Sequence, residues 1–430
     1  MTRTESSASS SRFDSLEEWL SWLETLHPKQ IDMSLGRVEG VLAALGIADP
    51  PYQVVTVAGT NGKGSCVACL EQIYLSAGYR VGAFTSPHLV AFNERIRFDG
   101  QDADDETLVE VFELIDESRG DLTLSYFEAS AVAAMLHFAR AGAEVVVFEV
   151  GMGGRLDAVN AIDADAALIV SIDLDHMEYL GENRDLIGRE KAGIVRDGRP
   201  VIVADRDPPQ GLLDEISRRG GRAELIGVDF AVQGSPEGLE FSWRGEPPRS
   251  FPRPSFGGRI QLDNAAASIA AVVALNRRLP VADSAIAAGL SRVMLRGRFD
   301  RRVKAGTEWI FDVAHNPAAA ALFFEALADL GPARNTAAVF GAMADKDLAS
   351  VIRPFIDLVD AWFVGDIESE RGAGADELVD VLGRLKARAA TAYPDIESAA
   401  RAAMGMSAER VLVFGSFYSV GPAMKAVGLY

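Results

Sequence analysis

A short apolar run, Val54-Val55-Thr56-Val57-Ala58, stops at Gly59-Thr60-Asn61-Gly62-Lys63-Gly64-Ser65. A buried strand that ends in glycines and feeds a helix lets backbone N–H groups approach anionic oxygens, with the helix N-terminus facing them. Lys63 adds a mobile point charge, so the segment predicts a nucleotide phosphate site. The spacing differs from G-x-x-x-x-G-K-[ST], because only Thr60 and Asn61 separate the first two glycines and Gly64 follows the lysine. An ordinary glycine turn is the competing reading of the loop taken alone.

The 430 residues, 48% hydrophobic and 24% charged, predict a globular chain with two domains. A net charge of −20 and a pI near 4.7 exclude nonspecific attraction to nucleic acid or anionic membrane, so anionic small substrates require local positive sites. The longest apolar run, residues 265–275, is bounded by Asp263-Asn264 and Asn276-Arg277 and suits a buried helix, not a membrane span. Residues 1–12 read as a disordered serine-rich leader without the apolar core of a secretory signal, and the expected location is the cytoplasm. Cys66 and Cys69, the only cysteines, have the spacing of a redox pair; inside the helix after the loop they read as small hydrophobes.

Ser15-Leu16-Glu17-Glu18 has capping-box spacing, with Leu16, Trp19, Leu20, Leu23 and Leu26 following at helical intervals. Strand-like runs at residues 54–58, 81–84, 145–150, 167–172 and 200–204 alternate with helical stretches, the rhythm of a parallel sheet. Residues 205–260 shift toward Gly, Pro and Arg and predict a small antiparallel insertion. Arg296-Gly297-Arg298-Phe299 is a candidate hinge. Runs at 309–313, 337–340, 361–364 and 411–414 then repeat the alternation. The expected fold is an α/β P-loop parallel-sheet ATPase domain over residues 13–295, followed by a smaller Rossmann-like α/β domain over 296–430.

Ligands of open α/β sheets sit beyond the carboxyl ends of strands. There Glu149 closes one run, Ser86 lies in Thr85-Ser86-Pro87-His88-Leu89, and His176 in Asp173-Leu174-Asp175-His176. A carboxylate, a hydroxyl and an imidazole can complete an octahedron around Mg²⁺ with waters and phosphate oxygens, the imidazole being the atypical member. His27 and His137 sit in helical contexts and read as structural. Lys191 reads on its own as a surface lysine, and Asp312-Val313-Ala314-His315 reads equally as loop capping or catalysis.

Taken in order, these motifs resemble the amino-acid ligases of the murein-precursor type, and within them the dihydrofolate synthase/folylpolyglutamate synthase family. The resemblance adds residues 149–160, Glu190-Lys191-Ala192-Gly193-Ile194, Gly297-Arg298-Phe299, residues 312–317, Asp345-Lys346-Asp347 and Phe414-Gly415-Ser416, and covers nearly all of the chain beyond the leader. It implies an ATP-dependent ligase that activates a carboxylate as an acyl phosphate, which the amine of L-glutamate attacks.

Carried over by position, Thr60, Asn61, Gly62 and Lys63 cradle the ATP phosphates, and Ser86, Glu149 and His176 hold Mg²⁺. Lys191 matches the family lysine that becomes carbamylated, which implies a carboxylate that helps hold a second ion. Asn264, Arg298 and Asp312 match ATP-contacting positions, with the nucleotide expected between the domains; His315 and Ser416 are weaker candidates on the glutamate or acyl-phosphate side. Asp32-Met33-Ser34-Leu35, Ser125-Tyr126-Phe127-Glu128 and Leu156-Asp157-Ala158 resemble a dihydropteroate site, where Phe127 could stack on a pterin or simply fill the core. Both activities, on 7,8-dihydropteroate and on reduced folates, are therefore expected, in a monomer. Met152 and Val159 stand where the family more often has Leu and Thr, and Val159 is expected to alter packing on the pterin side.

The alternatives are a folylpolyglutamate synthase alone, another murein-type ligase, or a nucleotide-binding interaction protein. A murein-precursor ligase would place a uridine-nucleotide domain ahead of the loop, where only a helix-sized segment precedes Val54. A GTPase switch would want Asn-Lys-x-Asp, and the sequence holds no Asn-Lys pair.

Overall fold

The computed structural model describes residues 12–29, 32–235, 238–254, 259–328, 330–369 and 371–430. The leader through residue 11, and residues 236–237 and 255–258 of the expected insertion, lie outside these. The chain divides into two compact units. One holds the described residues up to Pro87, Phe92 to Pro252 and Asp263 to Leu290; the other holds His88–Ala91, the described part of Arg253–Leu262, and Ser291–Tyr430.

In the first unit the apolar runs become β1 (Gln53–Ala58), β2 (Val81–Phe84), β5 (Val145–Glu149), β6 (Ala166–Ile169) and β7 (Pro200–Val203). Between them fall β3 (Ile96–Phe98) and β4 (Gln101–Asp102), and β8 (Arg222–Leu225) closes the sheet in the order β4-β3-β2-β5-β1-β6-β7-β8. Strands β1, β2 and β5 through β8 run parallel, while β3 and β4 form an antiparallel edge that the alternation of runs does not reveal. Helices Lys63–Ser76 and Tyr126–Ala141 are largely buried, so both faces of the central strands are covered and their residues read as continuous apolar runs. Each fully buried Val or Ile contributes about 1.5–3 kcal/mol.

The run expected over 167–172 leaves the sheet after Ile169, because Ile172 N–H donates to Asp205 Oδ2 (2.8 Å) instead of to a ladder partner. The antiparallel insertion is shorter than its shifted composition suggests. Residues 210–218 form a helix and β8 extends the parallel sheet; only β9 (Phe230–Ser235), β10 (Gly238–Trp243) and β11 (Arg249–Phe251) make a separate three-stranded antiparallel sheet. Its buried face is a stack of Phe230, Phe241 and Trp243.

The second unit carries a six-stranded sheet of β12 (Asp300–Lys304), β13 (Thr307–Asp312), β14 (Thr336–Phe340), β15 (Ala361–Gly365), β16 (Ala390–Tyr393) and β17 (Arg410–Phe414). Its order is β12-β13-β17-β14-β15-β16, parallel except for β12. Phe414 anchors the core, with ring centroids 4.5 Å from Phe355 and 5.0 Å from Phe340. Among the described residues, no helix is long and apolar enough to cross a membrane.

Candidate active site

The loop between β1 and the helix Lys63–Ser76 needs its glycines. Gly59 has φ +152°, and a Cβ there would lie 2.1 Å from Val170 Cγ2; Gly62 has φ +97°, and a Cβ would lie 2.7 Å from Asn264 Oδ1. The segment after β6 braces the loop: Thr60 N–H donates to Ser171 O (2.7 Å), Ser171 Oγ to Asn61 O (3.0 Å) and Asp173 N–H to Thr60 Oγ1 (3.0 Å). The first N–H groups of a 14-residue helix follow, which is the geometry of an anion site.

Two lysines converge on this loop. Lys63 Nζ donates to Gly59 O (3.1 Å) and Thr60 O (3.2 Å), and Lys191 Nζ donates to the same Gly59 O (2.8 Å) from the helix Arg184–Lys191. Lys191 is 4% exposed, so it is no surface lysine. Burial, reinforced by the neighbouring Lys63 charge, lowers its pKa to about 7, against the opposing pull of Asp175 and Asp157.

Glu149 ends β5 opposite Val57 of β1, and its Oε2 accepts from Ser86 N–H (3.2 Å). It also lies 3.8 Å from where a Gly64 Cβ would stand, beside the first turn of the loop helix. His176 adopts φ +49° with its side chain half exposed, Nε2 lying 3.6 Å from Asp175 Oδ2. Among the described residues, no three His, Cys, Asp or Glu side chains gather closely enough to hold a metal by themselves. The buried Glu149 carboxylate beside Ser86, next to an anion loop, fits Mg²⁺, which keeps its waters and takes phosphate oxygens to complete its shell.

Ser86 and His176 also border a cavity of about 300 Å³ whose walls include Asp32, Met33, Ser125, Phe127, Glu128, Leu156, Asp157 and Ala158. Ser34, Leu35 and Tyr126 do not border it. Leu35 caps the helix Gly36–Ala44, and the Tyr126 ring meets Phe92 edge-on at 5.9 Å beneath the Arg95 guanidinium. Val159 does not border it either: it is wholly buried in the main core, while Met152 does line the wall.

Asp157 accepts from Met152 N–H (2.9 Å) and Val159 N–H (3.1 Å); burial nevertheless raises its pKa to about 6. Glu128 reaches back to Ser125 N–H (2.7 Å) as a capping box and receives Arg37 Nη2 (2.7 Å). Arg37 Nη1 also donates to Asp32 Oδ2 (3.0 Å), which lies 3.1 Å from His27 Nε2. The His27 hydrogen bond and the Arg37 charge keep Asp32 below the usual carboxylate range despite partial desolvation.

In the second unit, Asp312 Oδ2 accepts from Phe299 N–H (2.8 Å) and Oδ1 from Ala314 N–H (2.9 Å). Burial raises its pKa against the Arg298 charge. Arg298 lies over the Phe417 ring at 5.5 Å, His315 Nδ1 is 2.9 Å from Val313 O, and Ser416 Oγ caps the helix Phe417–Ala426 by accepting from Tyr418 N–H.

The Mur ligase middle domain matches residues 57–272, and the Mur ligase glutamate ligase domain matches residues 297–417. The dihydrofolate synthase/folylpolyglutamate synthase of Escherichia coli K12 is 39% identical over 96% of this chain and 95% of its own. This chain belongs to that family. Among solved members, E. coli FolC in complex with DHPP and ADP superposes with a TM-score of 0.89 at 38% identity, covering 96% of this chain and 98% of that one. A bifunctional folylpolyglutamate synthase/dihydrofolate synthase with Mn, AMPPNP and L-glutamate bound gives 0.86 at 38% identity, covering 97% and 98%.

Within this family member, single-residue signals for Arg37, Arg95, Gly151 and Ser171 are weak in sequence. An arginine inside a helix reads as solvated surface, and Gly151 becomes informative only once Phe127 is seen at 2.6 Å from its missing Cβ. His27, read as structural from sequence, holds the Asp32 carboxylate on one side and approaches Thr123 Oγ1 at 2.7 Å on the other.

Proposed function

We propose that this chain joins L-glutamate to 7,8-dihydropteroate and to reduced folates, in both cases at the expense of ATP. The observation that carries the reading is that Ser86, bonded to Glu149 beside the phosphate loop, also borders the cavity formed by Asp32, Phe127 and Asp157. A carboxylate attached to a ring held in that cavity would lie at the phosphate end of the site. Glu149 and Ser86 would hold Mg²⁺, with His176 as a further donor, and the ion would supply charge neutralisation between triphosphate and carboxylate.

The carboxylate oxygen takes the γ-phosphoryl group and ADP leaves. The glutamate amine then attacks the acyl carbon, phosphate departs, and one proton is lost as the amide forms. Thr60 to Lys63 orient the phosphates and Lys63 spreads the developing charge. Arg298 and Asp312 serve the nucleotide as well, and His315 the glutamate side. Asn264, packed against Gly62, keeps the loop in its anion-binding shape.

Lys191 is the residue we assign to carbamylation, creating a carboxylate for a second ion. A buried amine with a pKa of about 7 is substantially neutral at physiological pH, and only the neutral amine adds CO₂. We further propose a cytoplasmic monomer, which size-exclusion chromatography with light scattering would test.

The direct test is ATP-dependent phosphate release with L-glutamate plus either 7,8-dihydropteroate or a reduced monoglutamyl folate, with the amide identified by mass. Turnover of both is expected. Turnover of the folate alone would reduce the assignment to polyglutamylation, and binding of ATP without product would leave an interaction protein.

A further inference from the structure

One partly buried arginine in the first unit touches neither the phosphate loop nor the cavity, yet ties together the elements that carry them. Arg97, in the antiparallel strand β3 next to the sheet edge, donates from Nη2 to Glu71 Oε2 (2.9 Å) and from Nε to both Glu71 oxygens (3.2 Å each). Glu71 is 3% exposed and lies on the helix that begins at Lys63. The remaining arm, Nη1, donates to Thr85 Oγ1 (2.9 Å) and Glu94 O (2.8 Å). Thr85 immediately precedes Ser86, whose N–H holds Glu149.

A guanidinium has the rigid fork needed to serve a helix and a loop at once. Burial alone would lower the Arg97 pKa, but Glu71, Asp102 and Glu149 together hold it above its ordinary value, so the charge persists at any physiological pH. A pair with a buried carboxylate and a partly buried guanidinium is weak evidence for stability, since desolvation offsets much of the attraction. Its third arm is what points elsewhere.

We infer that Arg97 is a positioning residue for the metal and phosphate end of the site, coupling the loop helix through Glu71 to the Thr85–Ser86 segment through Thr85 Oγ1. The inference rests on the reading that Ser86 and Glu149 hold the divalent ion. Outer groups that orient ligands commonly set metal affinity without touching the metal.

Thr85→Val tests it, because the change removes the arm to the Thr85–Ser86 segment and leaves the Arg97–Glu71 pair in place. The probe is Mn²⁺ in the presence of ADP, titrated against the full chain with free ion followed by electron paramagnetic resonance. We expect Mn²⁺ to bind about tenfold more weakly, with KM for dihydropteroate unchanged and Tm moved by no more than about 2 °C.

Arg97→Lys keeps a charge for Glu71 but cannot fork, and is expected to weaken Mn²⁺ by a similar factor. The double variant should be no weaker than Arg97→Lys alone, since both changes cut the same arm. Wild-type Mn²⁺ affinity in Thr85→Val, or effects that multiply in the double variant, would overturn the inference. If the unaltered chain takes up no Mn²⁺ with ADP, the metal reading itself falls and the inference goes with it.

Discussion

The phosphate loop and the neighbouring cavity solve opposite problems with opposite materials. The loop is seven consecutive residues, from Gly59 to Ser65, whose proposed function rests on backbone N–H groups and two converging lysines. The cavity is assembled from stretches scattered between Asp32 and His176, and its carboxylates are already engaged by Arg37, His27 and backbone amides. The loop therefore depends on local conformation and charge, the cavity on the tertiary packing of several elements. Variants in the two regions should separate accordingly: loop changes should fall on kcat, and cavity changes on KM for the pteridine substrate.

The largest effect is expected at Lys63. Lys63→Ala should lower kcat by roughly 10²–10³, about 3 kcal/mol of transition-state stabilisation, with little change in KM for dihydropteroate; steady-state kinetics at saturating ATP would check it. Near-normal turnover would break the assignment of the loop.

Lys191→Ala should also be severely impaired, and short carboxylates such as acetate or formate should restore part of its turnover if the residue acts as a carbamate. Absence of rescue would remove the carbamate while leaving the ligase chemistry standing.

Phe127→Ala sharpens the other half of the comparison. Losing a ring packed against Gly151 should raise KM for dihydropteroate about tenfold, with kcat and KM for ATP nearly preserved. A fall in kcat alone would mean that the ring serves the core and not the ligand.

The smallest effect concerns pH and stability. Asp157 has a folded pKa of about 6, above an unfolded value of about 3.9. The folded state therefore holds its proton more tightly. That contribution to stability is fully present below about pH 4 and is lost as pH rises through about 6, with no further change above. Asp157→Asn should flatten this part of a urea-denaturation profile measured between pH 4 and 7; an unchanged slope would place the origin elsewhere.

Much of the framework was legible in the chain. Alternating apolar runs located the central strands to within a residue or two at most ends, because strands covered on both faces must be apolar throughout. Ser15 and Glu18 form the capping box their spacing suggested, and Cys66 and Cys69 are buried free thiols. Strands β3, β4 and β8, at the two margins of the first sheet, are not legible in the chain because they are short and partly polar. Nothing in Arg222-Ala223-Glu224-Leu225 announces that Glu224 is buried, with Arg244 as its partner.

What the sequence determined by itself is therefore local: a glycine-rich turn, the strand that feeds it, the helix that follows, and a carboxylate at the end of β5. These depend on φ, capping and periodicity, which operate over a few residues. Only the tertiary structure decided that Lys191 is buried against Gly59, that Arg97 spans two elements, and that Val159 belongs to the core while Met152 faces the cavity. Those outcomes depend on which side chains lose water and which charges meet, and residues far apart in the chain settle that only when the sheet brings them together.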